Sequence, residues 1–180
     1  MNLISFADDQ ISNEQVIPEW LTGWNVRVAA RAVLLDEDNR VALMHIGTRN
    51  TYKLPGGGVD DEEHLEEALK REMLEETGCS IKPICDLGIS LEKREMWKLF
   101  QISFSYLARV AKKGELILTP DEKEEGFALE WIDNIEKATE LVANSPISDN
   151  KYDDLYMKIR DKNILLAAGK AIAAKPSLLA

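Results

Sequence analysis

The chain is poor in cysteine, with Cys79 and Cys85 the only two among 180 residues. Two thiols cannot staple a small secreted scaffold, and no secretory pattern is present, so the expected setting is a reducing, cytoplasmic one. No apolar run approaches the roughly 18 residues of a membrane span, so no membrane-crossing helix is expected. A basic surplus is missing too. Against 22 Lys and Arg stand 32 Asp and Glu, for a net charge of −10. That disfavours binding to polymeric nucleic acid, whose backbone selects basic surfaces. It leaves a nucleotide-sized anion open as a substrate, because a bound cation can reverse the sign locally. Internal repeats and low-complexity tracts are absent. What remains is an ordinary globular composition, 45% hydrophobic and 30% charged, over a length that suits one domain.

Element signals begin after a weak N-terminal stretch, residues 1–25, in which Trp20, Leu21 and Trp24 carry the apolar content. Their expected place is over an edge of the core, with a dimer contact or a base-stacking surface as the alternative. Residues 26–35 (VRVAARAVLL) and 41–46 (VALMHI) flank the polar cluster Asp36-Glu37-Asp38-Asn39, which predicts a β-hairpin. Tyr52-Lys53-Leu54 reads as a short strand leading to a glycine turn, Gly56-Gly57-Gly58. His45 reads as structural, and His64 receives no role. From Val59 to Thr77 there is neither Pro nor Gly. A helix is expected from about 61 to 77, with Asp60, Asp61 and Glu62 at the positive end of its dipole and Gly78 terminating it. Leu65, Leu69 and Met73 would face the sheet. A strand over 80–89 follows, then a longer one over 96–110 whose alternation predicts one buried face made by Phe100, Ile102, Phe104, Tyr106, Ala108 and Val110. A further strand is expected over 126–132, a helix capped by Asn134 over 135–143, and helix over 152–174, divided near Asp161-Lys162-Asn163.

The chemistry concentrates in the predicted helix. Glu72, Glu75 and Glu76 have the i, i+3, i+4 spacing that puts carboxylates on one helical face. Like charges at that spacing repel, and a hard divalent cation would turn repulsion into attraction. The wider pattern is more specific. Gly57, five residues, Glu63, seven residues, Arg71-Glu72, Met73, one residue, Glu75-Glu76, one residue, Gly78 and Cys79 resembles the Nudix box at every fixed position. Chance agreement at a given start is on the order of 10⁻⁸ or less. Cys79 stands where the family more often has an aliphatic residue, and cysteine behaves there as a small hydrophobe.

The resemblance implies an α/β fold, an α/β/α sandwich around a mixed β-sheet, with an extra C-terminal helix. It divides the chain into an N-terminal extension (1–25), a hydrolase domain (26–143) and a helical tail (144–180). It implies divalent-metal-dependent cleavage of a nucleoside diphosphate linked to a moiety X, with Mg²⁺ as cofactor and Mn²⁺ as a substitute. Glu72, Glu75, Glu76 and the Gly56 carbonyl would ligate the metal, Arg71 would orient a carboxylate, and Glu63 would support it. In relatives the general base is a box glutamate or a Glu in a loop before a late strand. Here that loop offers Glu122 and Glu125, with Glu122 favoured. Signatures associated with NADH, coenzyme A, ADP-ribose and dinucleoside polyphosphates are missing near the box. That leaves a (deoxy)nucleoside triphosphate pyrophosphohydrolase as the leading expectation, including the type that removes oxidised nucleotides, with ADP-ribose or a sugar nucleotide as the alternative. A non-catalytic ligand-sensing or binding module is the alternative of another class, although such modules often lose box glutamates. Relatives are often dimers, so a homodimer is a further expectation by analogy.

Overall fold

The computed structural model describes residues 21–116, 118–149 and 151–179. Trp20 and the earlier loop signals lie outside the described residues.

The spine of the sheet is β1 (Asn25–Leu35), buried at every position from Ala29 onward. Its period of two sends Ala30, Ala32 and Leu34 to one face and Arg31, Val33 and Leu35 to the other. A strand buried on both faces belongs inside a sheet. Accordingly β2 (Val41–Ile46) flanks it on one side and β6 (Leu99–Lys113) on the other, in the order β3-β2-β1-β6-β5. Here β3 is Thr51–Lys53 and β5 is Cys79–Arg94. The β1/β6 pair is parallel from Asn25↔Leu99 to Leu35↔Arg109, while β5/β6 is antiparallel, so the sheet is mixed.

The expected hairpin survives only at its base, where Leu35↔Val41 is the single registered pair. Beyond it the strands part. β1 takes β4 (Gly56–Gly58) at Ala29 to Arg31, and β2 takes β7 (Phe127–Ile132) along its whole length. The three glycines are therefore a strand and not a turn. Between the parted strands the sheet opens into a cleft.

One face of the sheet carries α1 (Leu65–Thr77), whose Ala68, Leu69 and Met73 pack on Ala30, Ala32, Leu34 and Ala42. The other carries α3 (Ile135–Asn144) and α4 (Lys151–Ala174), through Ala138, Val142, Ile164, Leu165 and Ala168 against Val33, Leu35, Leu43 and Leu107. This is the expected α/β/α sandwich. No helix among the described residues is long and apolar enough to cross a membrane.

Four expectations are corrected. α1 begins at Leu65 rather than near 61, because Glu62 adopts a left-handed backbone (φ 66°) that no helix continues through. Asp60–Glu62 therefore precede the helix. The segment 119–126 contains a short helix, α2 (Pro120–Glu124), capped by Thr119. α4 runs unbroken through Asp161, whose buried carboxylate accepts from Leu54 N (3.0 Å) and Arg160 Nε (2.7 Å) and so docks the helix instead of interrupting it. Finally, the fully buried side chains in the first half of β6 are the polar ones, whereas of the expected apolar face Ala108 is buried and Tyr106 and Val110 pack on the α1-side core. Gln101, Ser103 and Ser105 are buried while Phe100, Ile102, Phe104 and Tyr106 are half-exposed. Gln101 bonds Glu92, which pairs with Arg160 of α4, so a charged helix covers the polar face.

Candidate active site

The site is built where α1 meets β4. Glu72 and Glu76, one turn apart, flank the apolar stripe and reach toward the cleft across the glycine strand. Gly57 leaves the space that the Glu72 carboxylate occupies, and a Cβ there would displace that carboxylate. Gly56 adopts φ 132°, and a Cβ on it would strike the backbone of Ala30 and Arg31. Glu76 is held from two sides: Oε2 accepts from Gly56 N (2.7 Å) and Oε1 pairs with Lys53 Nζ (2.5 Å).

Arg71 is the hub of the outer half. Its Nε and Nη2 donate to both oxygens of Glu63 (2.9 and 2.8 Å), Nη2 also to Gly58 O (2.9 Å), and Nη1 to Glu72 (2.9 Å) and Glu75 (3.2 Å). The bidentate bond from Arg71, helped by the Asp60 amide, holds Glu63 down to about 2. The same bonds raise Arg71 above its ordinary value. Glu72 moves the other way. Burial raises its pKa, Arg71 opposes this, and the neighbouring charges of Glu76 and Glu75 add to the rise. Its ionised form lacks compensation that a cation would provide.

The expected convergence of three carboxylates is only partial. Glu72 and Glu76 line the cleft, while Glu75 is 53% exposed and turned to Arg71. Among the described residues no three acidic, His or Cys side chains stand grouped as a ready metal site. The donor chemistry nonetheless fits a hard divalent ion: carboxylates of Glu72 and Glu76, plus the Gly56 carbonyl, whose second lone pair remains beside the bond from Arg31 Nη1 (2.7 Å). A cation entering there competes with Lys53 for Glu76 and with Arg71 for Glu72.

The cleft encloses about 340 Å³. Six basic side chains line it (Arg27, Arg31, Arg49, Lys53, Arg94, Arg160) against three acidic ones (Glu72, Glu76, Asp153). In a protein of net charge −10 this is a locally cationic hollow. Its α4 wall is a buried network in which Glu92 joins Arg94, Arg160 and Gln101, and Arg160 continues to Asp161. Burial works against the charge of Arg160, but Asp161 and Glu92 outweigh it and raise its pKa. For Arg31 the nearby charges of Asp161 and Glu76 act in the same direction but do not prevail. Burial, followed by the nearby charge of Arg160, lowers it to about 10.

The two loop glutamates are not in the cleft wall. Glu122 closes a capping box, its carboxylate accepting from Thr119 N (2.8 Å) and Oγ1 (2.9 Å). Glu125 pairs with Arg49 (2.7 Å), which does line the cleft and also reaches Asp154. His45 stacks on Tyr52 and bonds Asn50, as befits a structural residue. The basic side chains are what sequence reasoning missed. For Arg27 and Arg31 a signal was present, a charge amid an apolar strand.

A glutamate-bearing helix laid against a glycine strand, over a cationic cleft in a mixed sheet, defines a phosphate-handling site on a Nudix fold. The family model for the NUDIX domain matches residues 25–148, and the chain belongs to the Nudix family. Among curated relatives, the mouse (Mus musculus) protein named 8-oxo-dGDP phosphatase NUDT18 is 28% identical over 145 residues. The match covers 79% of this chain and 43% of the mouse protein, so the chain spans less than half of that relative. The fold is similar to a NUDIX hydrolase from Nitrosomonas europaea (TM-score 0.55, 22% identity, 73% of this chain and 89% of that one). It is also similar to a MutT NUDIX hydrolase from Burkholderia pseudomallei (TM-score 0.53, 22% identity, 74% and 98%).

Proposed function

We propose that this chain hydrolyses the diphosphate linkage of a nucleotide, with Mg²⁺ as cofactor and Mn²⁺ as a substitute. The observation that carries this reading is the meeting of Glu72 and Glu76 with an excess of Arg and Lys in one cleft. Carboxylates alone would repel a diphosphate, and arginines alone would hold it without activating water. A bound divalent ion supplies charge neutralisation and a water of lowered pKa. The chain's own part is positional. Glu72, Glu76 and the Gly56 carbonyl hold the ion, while Glu75 stands in reserve on Arg71. Arg71 fixes Glu72, and Glu63 fixes Arg71. The basic side chains orient the phosphates and stabilise charge that grows on the leaving oxygen.

Of the acids lining the cleft, Glu72 and Glu76 are the ones at the glycine strand, so the proton-accepting role falls to the box rather than to Glu122. Glu125 acts on the cleft through Arg49.

The favoured substrate is a (deoxy)nucleoside triphosphate, including oxidised forms. The name of the mouse relative, 8-oxo-dGDP phosphatase, adds the diphosphate of an oxidised purine nucleoside. ADP-ribose or a sugar nucleotide is the competing substrate class, and a ligand-sensing module the competing function. The test is chromatographic product analysis of a panel with Mg²⁺ and with Mn²⁺: ordinary and oxidised nucleoside di- and triphosphates, ADP-ribose and sugar nucleotides. Cleavage confined to the nucleoside di- and triphosphates is expected. Cleavage of ADP-ribose alone would move the substrate assignment, and binding without cleavage of any compound would leave only the sensor reading.

A further inference from the structure

Four of the six basic side chains in the cleft have an acid partner: Arg49 with Glu125 (2.7 Å), Lys53 with Glu76 (2.5 Å), Arg94 with Asp153 (2.6 Å) and Arg160 with Asp161 (2.7 Å). Among the described residues Arg27 and Arg31 form no ion pair. Both point from the same face of β1, four residues and roughly 13 Å apart. Arg31 is 5% exposed, gives Nη1 to a neutral carbonyl, and leaves Nε buried with no hydrogen-bond partner. Arg27 has only the neutral Gln101 oxygen (3.2 Å). The glycine strand makes room for both: a Cβ on Gly56 would strike Arg31, and one on Gly58 would come within 3.3 Å of Arg27 Nη2.

A buried guanidinium without an acid weakens a fold, and an apolar side chain of similar length would serve stability better. A guanidinium with a free edge is also a fork shaped for two phosphate oxygens. We propose that Arg31, assisted by Arg27, is the phosphate-gripping pair of the cleft, taking a polyphosphate or monoester phosphate anion by charge-assisted hydrogen bonds. The identity of the natural ligand rests on the hydrolase reading; the grip itself does not.

The competing explanation is that Arg31 merely props the Gly56 carbonyl. Calorimetric titration with inorganic pyrophosphate in Mg²⁺, together with thermal melts, separates the two. Arg31→Met is expected to weaken pyrophosphate binding by at least about tenfold, the scale of one lost charged hydrogen bond. Its ligand-free melting temperature stays equal or rises, and its shift on adding pyrophosphate shrinks. Arg31→Lys binds between wild type and Arg31→Met. Arg27→Gln, at an exposed position, weakens binding by severalfold. Wild-type affinity in Arg31→Met overturns the proposal. So does a fall in its ligand-free melting temperature with Arg27→Gln binding as wild type does. If Arg31→Met fails to fold, unchanged affinity in both Arg31→Lys and Arg27→Gln overturns it. A protein that grips pyrophosphate through Arg31 yet cleaves no nucleotide keeps this inference and loses the hydrolase reading. Nucleotide cleavage with Arg31 irrelevant to affinity does the reverse.

Discussion

The two walls of the cleft are made in opposite ways. The α1 wall is local: Arg71 meets Glu63 eight residues away and Glu72 next to it, and the longest reach from Glu76 is to Lys53, 23 residues away. The α4 wall is assembled from afar. Arg160 meets Glu92 across 68 positions, Arg94 meets Asp153 across 59, and Asp161 meets the Leu54 amide across 107. The local wall grades from the buried Glu76 to the part-exposed Arg71 and the exposed Glu75, so its outer charges can exchange partners. The distant wall buries its charges in fixed pairs, where removing one member leaves the other stranded. Chemistry thus falls to the first wall and rigidity to the second.

Breaking the local wall should cost activity most. Glu76→Gln keeps an oxygen for the Gly56 amide but loses the carboxylate, and turnover with Mg²⁺ should drop by about 10²–10³-fold. Removing this charge brings no stability gain of the kind that relief of carboxylate repulsion alone suggests, because Lys53 loses its acid. Circular dichroism should show the fold retained. Breaking the distant wall should cost stability instead. Arg160→Met leaves Asp161 Oδ1 buried without its cation and takes one of two arginines from Glu92, and the unfolding free energy from urea titration should fall by about 3 kcal/mol. An unchanged midpoint would mean the α4 network is not holding the helix.

The pH dependence sharpens the contrast. Glu63 titrates at about 2 in the folded protein, below its ordinary 4.5, so its contribution is complete above pH 4.5 and is lost as pH falls through 2. Glu63→Gln should therefore flatten the acid limb of melting temperature against pH between 4.5 and 2. An acid limb as steep as wild type would remove Glu63 from the list of groups that set it. The smallest effect is expected outside both walls. In Glu122→Gln the amide oxygen keeps the cap on Thr119, so activity should stay within about twofold and stability within about 0.5 kcal/mol. A large loss of turnover there would return the proton-accepting role to this loop. Glu125→Gln should lose more than Glu122→Gln, since it frees Arg49.

The same contrast explains what the sequence made legible. Glu63, Arg71, Glu72 and Glu76 lie within one continuous stretch, so their spacing placed them before any coordinates did. The Asn134 cap was legible for a similar reason, while the sandwich and the mixed sheet were implied by the resemblance that this stretch carries. The hairpin was misread because pairing partners are chosen globally: β7 outcompetes β1 for β2, and β4 takes the vacated edge. On β6 the alternation was real and Ala108 is buried as expected, but over 100–105 hydrophobicity named the wrong face, since Gln101 is buried against Glu92, which pairs with Arg160 of α4. The break expected at Asp161 failed because its carboxylate finds the Leu54 amide, a partner no local window contains. Arg31 is the intermediate case: visible as an oddity in VRVAARAVLL, but meaningful only beside the Gly56 carbonyl and without an ion-pair partner in the cleft.

The most direct test of this division is steady-state kinetics on the nucleotide that the wild type cleaves, with Glu76→Gln and Arg31→Met compared side by side. A kcat loss of orders of magnitude in Glu76→Gln, with a KM change of at least about tenfold in Arg31→Met, is the predicted pattern. Wild-type kcat in Glu76→Gln, with metal supplied, would contradict the account at its centre.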